Sequence, residues 1–191
     1  MLASIAATTA FGATVINFDD VAFPGGNPTA SASPAVGYQG FDWGSNWVIS
    51  PNDATGWYGG TVQPYVHSSS NFAWSAGGRD LELTVHGGGT FDLTSFWVRA
   101  WPNITFNMTA FGYLNGSQVY SRTASVTNAY SQVTTNFVHI DRLVLTEAPT
   151  ANLLLDDLAV ANLSPVPEPA NAALFALGLA AVVAVRSRRA R

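Results

Sequence analysis

The chain has 191 residues, of which 10% are charged, 48% hydrophobic and 12% aromatic. Soluble globular proteins usually carry about 25% charged residues, so this chain is poor in charge. Its high content of apolar and aromatic residues excludes the class of proteins that stay disordered because of their high net charge. It contains no Cys, which excludes disulfides, thiolate catalysis and thiolate metal sites. The length suits one domain with short targeting segments.

The charges divide the chain into two unlike parts. All eight basic residues are Arg. Between Met1 and Ser164, four Arg stand against eleven acidic residues, a formal charge of −7. Residues 165–191 hold four Arg against Glu168 alone, a formal charge of +3. The larger part lacks the stripe of Lys and Arg that neutralises phosphates, so nucleic acid is not expected as a partner.

Residues 1–13 are predicted to be part of a secretory signal peptide. They read MLASIAATTAFGA, a small and apolar stretch with a small-residue cleavage site around Ala13. The positive start of such a signal is missing and the apolar stretch is short, so we expect either that translation begins upstream of Met1 or that the signal is incomplete in this chain. The alternative is an ordinary first strand.

Residues 14–163 are predicted to form an all-β domain. Short runs of β-branched and aromatic residues alternate with clusters of Gly, Pro, Asn and Ser, and no helical pattern of useful length occurs. Residues 81–85 alternate apolar and polar side chains, as a half-buried strand does. The predicted strands cover residues 14–18, 38–43, 47–50, 71–76, 81–85, 91–101, 105–114, 117–125, 134–139, 141–146 and 152–161.

The dipeptide Asn115-Gly116 gives the most specific local prediction. Asn-Gly between two β runs is the strongest short-range hairpin signal, because both residues tolerate positive φ. Nine to eleven strands, at a spacing of roughly 8–12 residues, favour a single antiparallel β-sandwich, most naturally a jelly roll.

Residues 164–191 are predicted to be a targeting segment that ends in a single membrane-inserting helix. Ala170–Val185 holds no charge and only one polar side chain, Asn171. At about 1.5 Å per residue it spans roughly 24 Å, slightly less than a ~30 Å hydrocarbon core. The segment is apolar on every side, unlike the amphipathic helix that packs on a domain, and an Arg cluster follows it as the cytoplasmic flank.

This tail closely resembles the PEP-CTERM sorting signal, in which a Pro-Glu-Pro triplet precedes a short apolar helix and a terminal Arg cluster. The resemblance implies a protein that a Gram-negative bacterium exports through its inner membrane. It implies that an exosortase processes the precursor near the triplet, and that the mature protein is anchored at the cell surface or released into extracellular matrix. The residues that carry the resemblance are Pro167, Glu168, Pro169, Arg186, Arg188, Arg189 and Arg191.

The body also resembles a known kind of domain. Segments such as INFDDV, GYQGFDWGSNW, FGYLNGSQVY and LLLDDLAV are similar to β-sandwich domains common among PEP-CTERM proteins, which resemble galactose-binding or carbohydrate-binding jelly rolls. The resemblance covers about Ile16 to Val160. It implies the fold more than any biochemical task.

Two pairs of acidic residues make a candidate Ca²⁺ site. Asp19 and Asp20 end the first predicted strand, and Asp156 and Asp157 lie in the last. First and last strands are antiparallel neighbours in many jelly rolls, which would bring the four carboxylates to one edge, and Ca²⁺ prefers oxygen ligands. Alternatively, these Asp cap turns and solvate strand ends. Neighbours on a strand point to opposite faces, so only one of each pair easily joins a common site.

Aromatic residues in loops make a candidate polysaccharide site. The apolar faces of exposed Trp and Tyr rings can stack on sugars. Trp57 and Tyr58 lie between glycines, Tyr65 lies near a turn and Trp101 precedes a proline at a strand end. The alternative is that these rings pack the core of the sandwich.

Neither the G-x-S-x-G nucleophile elbow nor the H-E-x-x-H zinc motif occurs in the sequence. His139 and Asp141 would share one face of a strand, an arrangement that is more often structural than catalytic. We therefore expect a non-enzymatic protein. The alternatives are a carbohydrate-active enzyme on a jelly-roll scaffold and a purely structural matrix module.

The sorting signal predicts a processing defect. Replacing Pro167, Glu168 and Pro169 together with alanine should leave the precursor uncleaved, because the protease loses the triplet that marks its substrate. Mass spectrometry of the exported protein measures this. If the variant were still cleaved to the same mature form as the wild type, the sorting role would be contradicted.

Overall fold

The computed structural model describes residues 12–23, 31–52, 65–75, 79–102, 104–148 and 151–165. Within these ranges the chain forms eleven β-strands and one short 3₁₀ turn, Tyr38–Gly40. The strands are β1 Thr14–Ile16, β2 Phe41–Trp43, β3 Trp47–Pro51, β4 Asn71–Ser75, β5 Leu81–Val85, β6 Gly89–Trp101, β7 Phe106–Leu114, β8 Ser117–Val126, β9 Ser131–Ile140, β10 Arg142–Leu145 and β11 Asn152–Pro165.

The structure confirms the all-β prediction, and each predicted run contains a strand. The largest differences lie at strand ends. Residues 38–40 turn instead of extending, because Gly37, Gln39 and Gly40 all have positive φ (74°, 53° and 83°), which interrupts an extended backbone. Strand β9 begins three residues earlier than predicted, and β11 runs four residues further, to Pro165.

The strands form two antiparallel sheets, which we call sheet A and sheet B. Sheet A has the order β3-β4-β11-β6-β9, with β1 paired to β11 as well. Sheet B has the order β2-β5-β10-β7-β8. The chain crosses repeatedly between the sheets, so most neighbouring strands are not consecutive in the sequence, with β3-β4 and β7-β8 as the exceptions.

The last eight strands show the jelly-roll topology directly. Strand β7 pairs with β8, β6 with β9, β5 with β10 and β4 with β11, so the chain is one long hairpin rolled into two sheets. The innermost turn of this hairpin is Asn115-Gly116, with φ of 50° and 78°. The jelly roll and its Asn-Gly turn are both confirmed.

A continuous apolar core lies between the sheets. Alternate residues of each strand point inward, as in Leu81, Leu83 and Val85 of β5, which are all buried. Aromatic rings fill one region of the core, where Phe41 meets Phe91 edge to face at 5.0 Å and Trp43 meets Trp47 in the same way. Each fully buried large side chain contributes about 1.5–3 kcal/mol, so the domain folds without disulfides.

The two predicted targeting segments lie mostly outside the described residues. This holds for residues 1–11 and for the predicted membrane helix, Ala170–Val185. In the described ranges, no helix is both long enough and apolar enough to span a bilayer. Strand β11 pairs with β6 as far as Pro165 opposite Gly89, two residues beyond the predicted end of the sandwich.

One partly buried carboxylate fastens the connection between β10 and β11. Glu147 Oε2 accepts hydrogen bonds from the Ser75 hydroxyl and, at 3.0 Å, from the Leu153 backbone N–H. Burial raises the pKa of Glu147 to about 7, and the hydrogen bonds to Ser75 and Leu153 reduce that shift only in part. Between pH 4.5 and 7 the folded protein therefore keeps a proton that an exposed carboxyl releases.

This shift predicts a pH-dependent stability. The folded pKa lies above the unfolded one, so the free energy of unfolding should fall as pH rises from about 4.5 to about 7. Glu147→Gln keeps a carbonyl acceptor and should flatten that slope. Urea unfolding followed by Trp fluorescence at several pH values measures it. Glu82→Gln, which removes an exposed carboxyl, is the control, and an unchanged slope in Glu147→Gln would contradict the assignment.

Candidate functional site

Strand β11 changes its partner at the predicted acidic pair. It pairs with β4 at Leu154 and Leu155, and then with β1, where Leu158 to Val160 oppose Ile16 to Thr14. The first and last strands are thus antiparallel neighbours, as predicted. A register shift follows Asp156, and Asp157 has a positive φ of 47°, so both carboxylates lie on a β-bulge.

Asp156 is fully buried and acts as a hydrogen-bond acceptor. Its Oδ2 accepts from the backbone N–H groups of His67 and Ser68, both at 2.9 Å, and its Oδ1 accepts from the Ser68 hydroxyl at 3.1 Å. Burial raises the pKa of Asp156, while these N–H donors stabilise the carboxylate and oppose the shift. The neighbouring Asp157 contacts His67 Nδ1 at 2.6 Å.

Asp19 holds the next part of the same segment. Its Oδ1 accepts from the backbone N–H groups of Ser70 (2.7 Å) and Asn71 (2.9 Å), and its Oδ2 accepts from the Ser69 hydroxyl. Three of the four predicted acids therefore fix residues 67–71, the approach to β4. These backbone donors lie just before β4 or at its first residue, and charged acceptors satisfy them.

Asp20 has a different role and a different place. It accepts hydrogen bonds from the Tyr38 hydroxyl at 2.5 Å and from Gln39 Nε2 at 2.8 Å. Within the described ranges no group of three or more His, Asp and Glu residues is placed to hold a metal ion. The structure brings Asp19, Asp156 and Asp157 to one loop segment, and the Ca²⁺ site stays a prediction.

Two of the predicted stacking residues lie within the described ranges. The Tyr65 ring lies 6.0 Å from the Phe72 ring and under the Arg99 guanidinium at 5.6 Å, and its carbonyl accepts from the Tyr130 hydroxyl. Trp101 is partly buried at the end of β6, opposite Asn152. Sugar stacking on these rings stays a prediction. Trp57 and Tyr58 lie outside the described residues.

Residues 65–70 cover part of the outer face of sheet A. The His67 ring stacks on Trp97 of β6 with centroids 3.7 Å apart, and Tyr130 meets His67 edge on at 5.7 Å. Burial and the nearby Asp156 carboxylate raise the pKa of Tyr130 well above its ordinary value. The acidic residues of β11 therefore serve to close this face of the sandwich.

The outer face of sheet B carries a different set of side chains. Strand alternation buries Leu81, Leu83 and Val85 and turns Glu82 and Thr84 outward. Pairing across the sheet places these outward residues in rows, because directly opposed residues share a face. We call this surface the open face and define it by Asp42, Glu82, Thr84, Phe111, Tyr113 and Arg142.

Arg142 lies at the centre of the open face. In its row, Thr84 and Tyr113 flank it directly on β5 and β7. Its guanidinium carbon lies 4.1 Å from the centroid of the Tyr113 ring, and Nη1 lies 3.8 Å from Glu82 Oε1. These contacts hold a planar group with several donors in one orientation at the surface.

A groove of about 350 Å³ lies at the β2 end of the open face. Its lining residues are Asp42, Trp43, Gly44, Ser45, Asn46, Asp80, Glu82 and Thr84. At the β8 end the surface carries hydroxyls, where Thr109 and Thr123 lie 3.0 Å apart through their Oγ1 atoms. The open face thus combines apolar rings at its centre with hydrogen-bonding groups on both sides.

The three His residues each contact an Asp in the described part of the chain. His86 Nδ1 lies 2.8 Å from Asp42, and His139 Nδ1 lies 3.8 Å from Asp92. The Asp141 carboxylate accepts a hydrogen bond from the Asn115 backbone N–H at the hairpin turn. His139 has a positive φ of 54°, and a face shared by His139 and Asp141 stays a prediction.

The aromatic residues of the open face were not predicted as a site. Exposed rings were expected in loops, whereas Phe111 and Tyr113 lie in the middle and near the end of the long strand β7. Their outward direction follows from alternation with the buried Met108, Ala110 and Gly112, a pattern that is readable in the sequence. What the sequence does not show is that Arg142, some thirty residues away, lies beside them.

The resemblance of the C-terminal tail to a sorting signal is confirmed by comparison with known families, and its membrane-inserting helix stays a prediction. Residues 165–189 match the PEP-CTERM protein-sorting motif. The motif indicates an exported protein of a Gram-negative bacterium that is sorted through an exosortase. No curated protein matches the chain.

Solved structures with a similar fold include carbohydrate-binding modules. One is a family 29 module, a point mutant of CBM29-2 in complex with cellulohexaose, with 14% identity and a TM-score of 0.41 over 79% of this chain and 92% of that one. Another is the CBM22-1–CBM22-2 tandem of Paenibacillus barcinonensis Xyn10C, with 13% identity and a TM-score of 0.44 over 88% and 49%. A third is the K1 adhesin domain of Lys-gingipain from Porphyromonas gingivalis, with 13% identity and a TM-score of 0.32 over 78% and 96%.

The buried acid of β11 yields a stability prediction. Asp156→Ala should lower the free energy of unfolding by about 1–3 kcal/mol, because it leaves the partly buried N–H donors of His67 and Ser68 without their charged acceptor. Thermal unfolding in Ca²⁺ and in EGTA measures this. The loss should be present in both solutions, since the hydrogen bonds need no metal. A loss of stability that occurs in the Ca²⁺ solution but not in EGTA would instead support the Ca²⁺ site.

Proposed function

We propose that the protein is a non-enzymatic cell-surface or extracellular-matrix protein whose open face binds neutral polysaccharide. The sorting motif supports the location, since it indicates export and exosortase processing. The observation that supports the binding role is the arrangement of Phe111, Tyr113 and Arg142 on an outward sheet surface. The C-terminal helix would hold the precursor in the inner membrane only until processing.

The chemistry of the open face suits a sugar chain. Sugars offer flat patches of C–H groups, which pack on aromatic rings, and hydroxyls, which exchange hydrogen bonds with polar side chains. On β7, Phe111 and Tyr113 share one face and lie about 6–7 Å apart along the strand. Arg142, Glu82 and the Thr109–Thr123 pair supply donors and acceptors around them.

The charges favour a neutral polymer over an anionic one. Asp42, Asp80 and Glu82 line the groove, and Arg142 is the single cation in the defined open face. The chain before the tail has a formal charge of −7, so a polyanion would meet repulsion both at the site and over the whole domain. A neutral glycan meets no such penalty.

The exposure of the acids supports a binding role without catalysis. A glycoside hydrolase needs two carboxyls across the scissile bond, one of them kept protonated by burial. The Glu82 and Asp42 side chains are 49% and 43% exposed. They lie on an open surface that does not exclude water.

Substitutions on the open face test the proposal. Tyr113→Ala and Arg142→Ala should each weaken binding at least tenfold, about 1.4 kcal/mol, because each removes part of the central contact. A glycan array with the full chain in mild detergent first identifies the ligand, and isothermal titration then measures the affinities. Val138→Ala, an exposed residue on sheet A, is the control.

The outcomes separate the candidate functions. If Tyr65→Ala or Trp101→Ala lost affinity for the glycan while Tyr113→Ala kept wild-type affinity, the ligand would be assigned to the predicted loop site. A blank array would favour the purely structural module. Release of reducing ends from a bound glycan would support the enzyme.

A further inference from the structure

Within the described residues the two sheets have five edge strands, β1, β2, β3, β8 and β9, and four of these edges are protected from pairing. Edge strands expose unpaired N–H and C=O groups, and proteins protect them with short length, covering segments, prolines or bulges. Edges β1 and β2 have only three residues each. Edge β3 is covered by Ala32, which exchanges two backbone hydrogen bonds with Ile49, and it ends at Pro51.

The β9 edge is protected by irregularity. Its pairing with β6 contains two register shifts, and Asn136 and His139 adopt positive φ of 51° and 54°. Bulges of this kind bend an edge and interrupt the regular row of hydrogen-bonding groups that another strand would need.

The β8 edge has almost none of these protections. It is ten residues long, contains no proline and no acid, and carries one charge, Arg122. From Tyr120 to Val126 it pairs with β7 without a register shift, so its outer edge is regular over seven residues. Within the described part of the chain, β8 pairs only with β7. Alternate residues therefore direct their backbone N–H and C=O groups away from the sheet.

We infer that β8 is a self-association edge, and that its partner is β8 of a second copy of this chain. The protected edges β1, β2, β3 and β9 do not offer a matching row of backbone groups, which leaves β8 as the complementary edge of an identical molecule. Identical edges pair antiparallel about a two-fold axis that is perpendicular to the sheet, which gives a closed dimer.

This pairing has a consequence for the open face. The five strands of sheet B in one copy and the five in the other become one continuous ten-stranded sheet. A two-fold axis perpendicular to the sheet keeps both open faces on the same side. If the proposed function holds, one polysaccharide chain contacts two sites at once, which raises the apparent affinity through effective concentration. The dimer itself does not depend on that function.

The absence of cysteine from the chain provides a direct test. In such a symmetric antiparallel pair, directly opposed residues must lie on the same face of the sheet. One residue of β8 is therefore directly opposite the same residue in the second copy. Single-cysteine variants of the full chain in mild detergent are oxidised and resolved on a non-reducing gel. The β8 positions are Ser121, Arg122, Thr123, Ala124 and Ser125.

The yield of disulfide-linked dimer should be highest at one of these positions and lower at the residues on either side of it, since a disulfide needs Cβ atoms roughly 3.5–4.5 Å apart. Thr134→Cys and Val138→Cys on β9 are the controls and should remain monomeric. No dimer at any β8 position, or equal amounts on β9, would overturn the inference.

Mass measurement provides the second readout. By light scattering the full chain should have twice its 20.2 kDa monomer mass after correction for detergent. Ser121→Lys with Ser125→Lys places like charges across the pair and should yield monomer. The matched double variant, Thr134→Lys with Val138→Lys, should stay dimeric. A monomeric wild type would overturn the inference even if glycan binding is intact.

Discussion

Strand β11 pairs with three neighbouring strands, β6, β4 and β1, and the arrangement of sheet A depends on these pairings. On one side it follows β6 along its whole length, and on the other it pairs first with β4 and then with β1. A strand cannot change partners without a local irregularity, and the bulge at Asp156 and Asp157 provides it. The extra residue turns a buried carboxylate toward residues 67 and 68, where it fixes the segment that covers sheet A.

The two faces of the sandwich differ because of this loop. On sheet A, His67 stacks on Trp97, and Asp156 satisfies the backbone donors beneath it. Nothing comparable lies over sheet B in the described part of the chain, where Arg142 contacts both Tyr113 and Glu82 at the surface. An ordered but uncovered group of this kind can bind a ligand without first displacing protein, which lowers the entropy lost on binding.

The regular elements were predictable because their signals are local. Alternation over residues 81–85 and the Asn115-Gly116 turn depend on side chains that are close in sequence, and both are confirmed. The bulges were not predictable, since a register shift depends on the partner strand. For that reason the partners of His139 and Asp141, which are Asp92 and Asn115, were not predicted, while the antiparallel contact of β1 with β11 is confirmed.

The strand content, the sandwich class and the sorting tail follow from the sequence, because their signals are local and the Pro-Glu-Pro triplet, apolar run and Arg cluster of the tail are contiguous. Which polar residues meet depends on the tertiary structure. Arg142 and Tyr113 are brought together by the rolled hairpin, and Asp19 joins Asp156 at one loop because β1 closes onto β11. It also decided which edge is unprotected, because the exposure of β8 depends on the position that the roll gives it. Contacts across a jelly roll join residues far apart in the chain, and no local pattern encodes them.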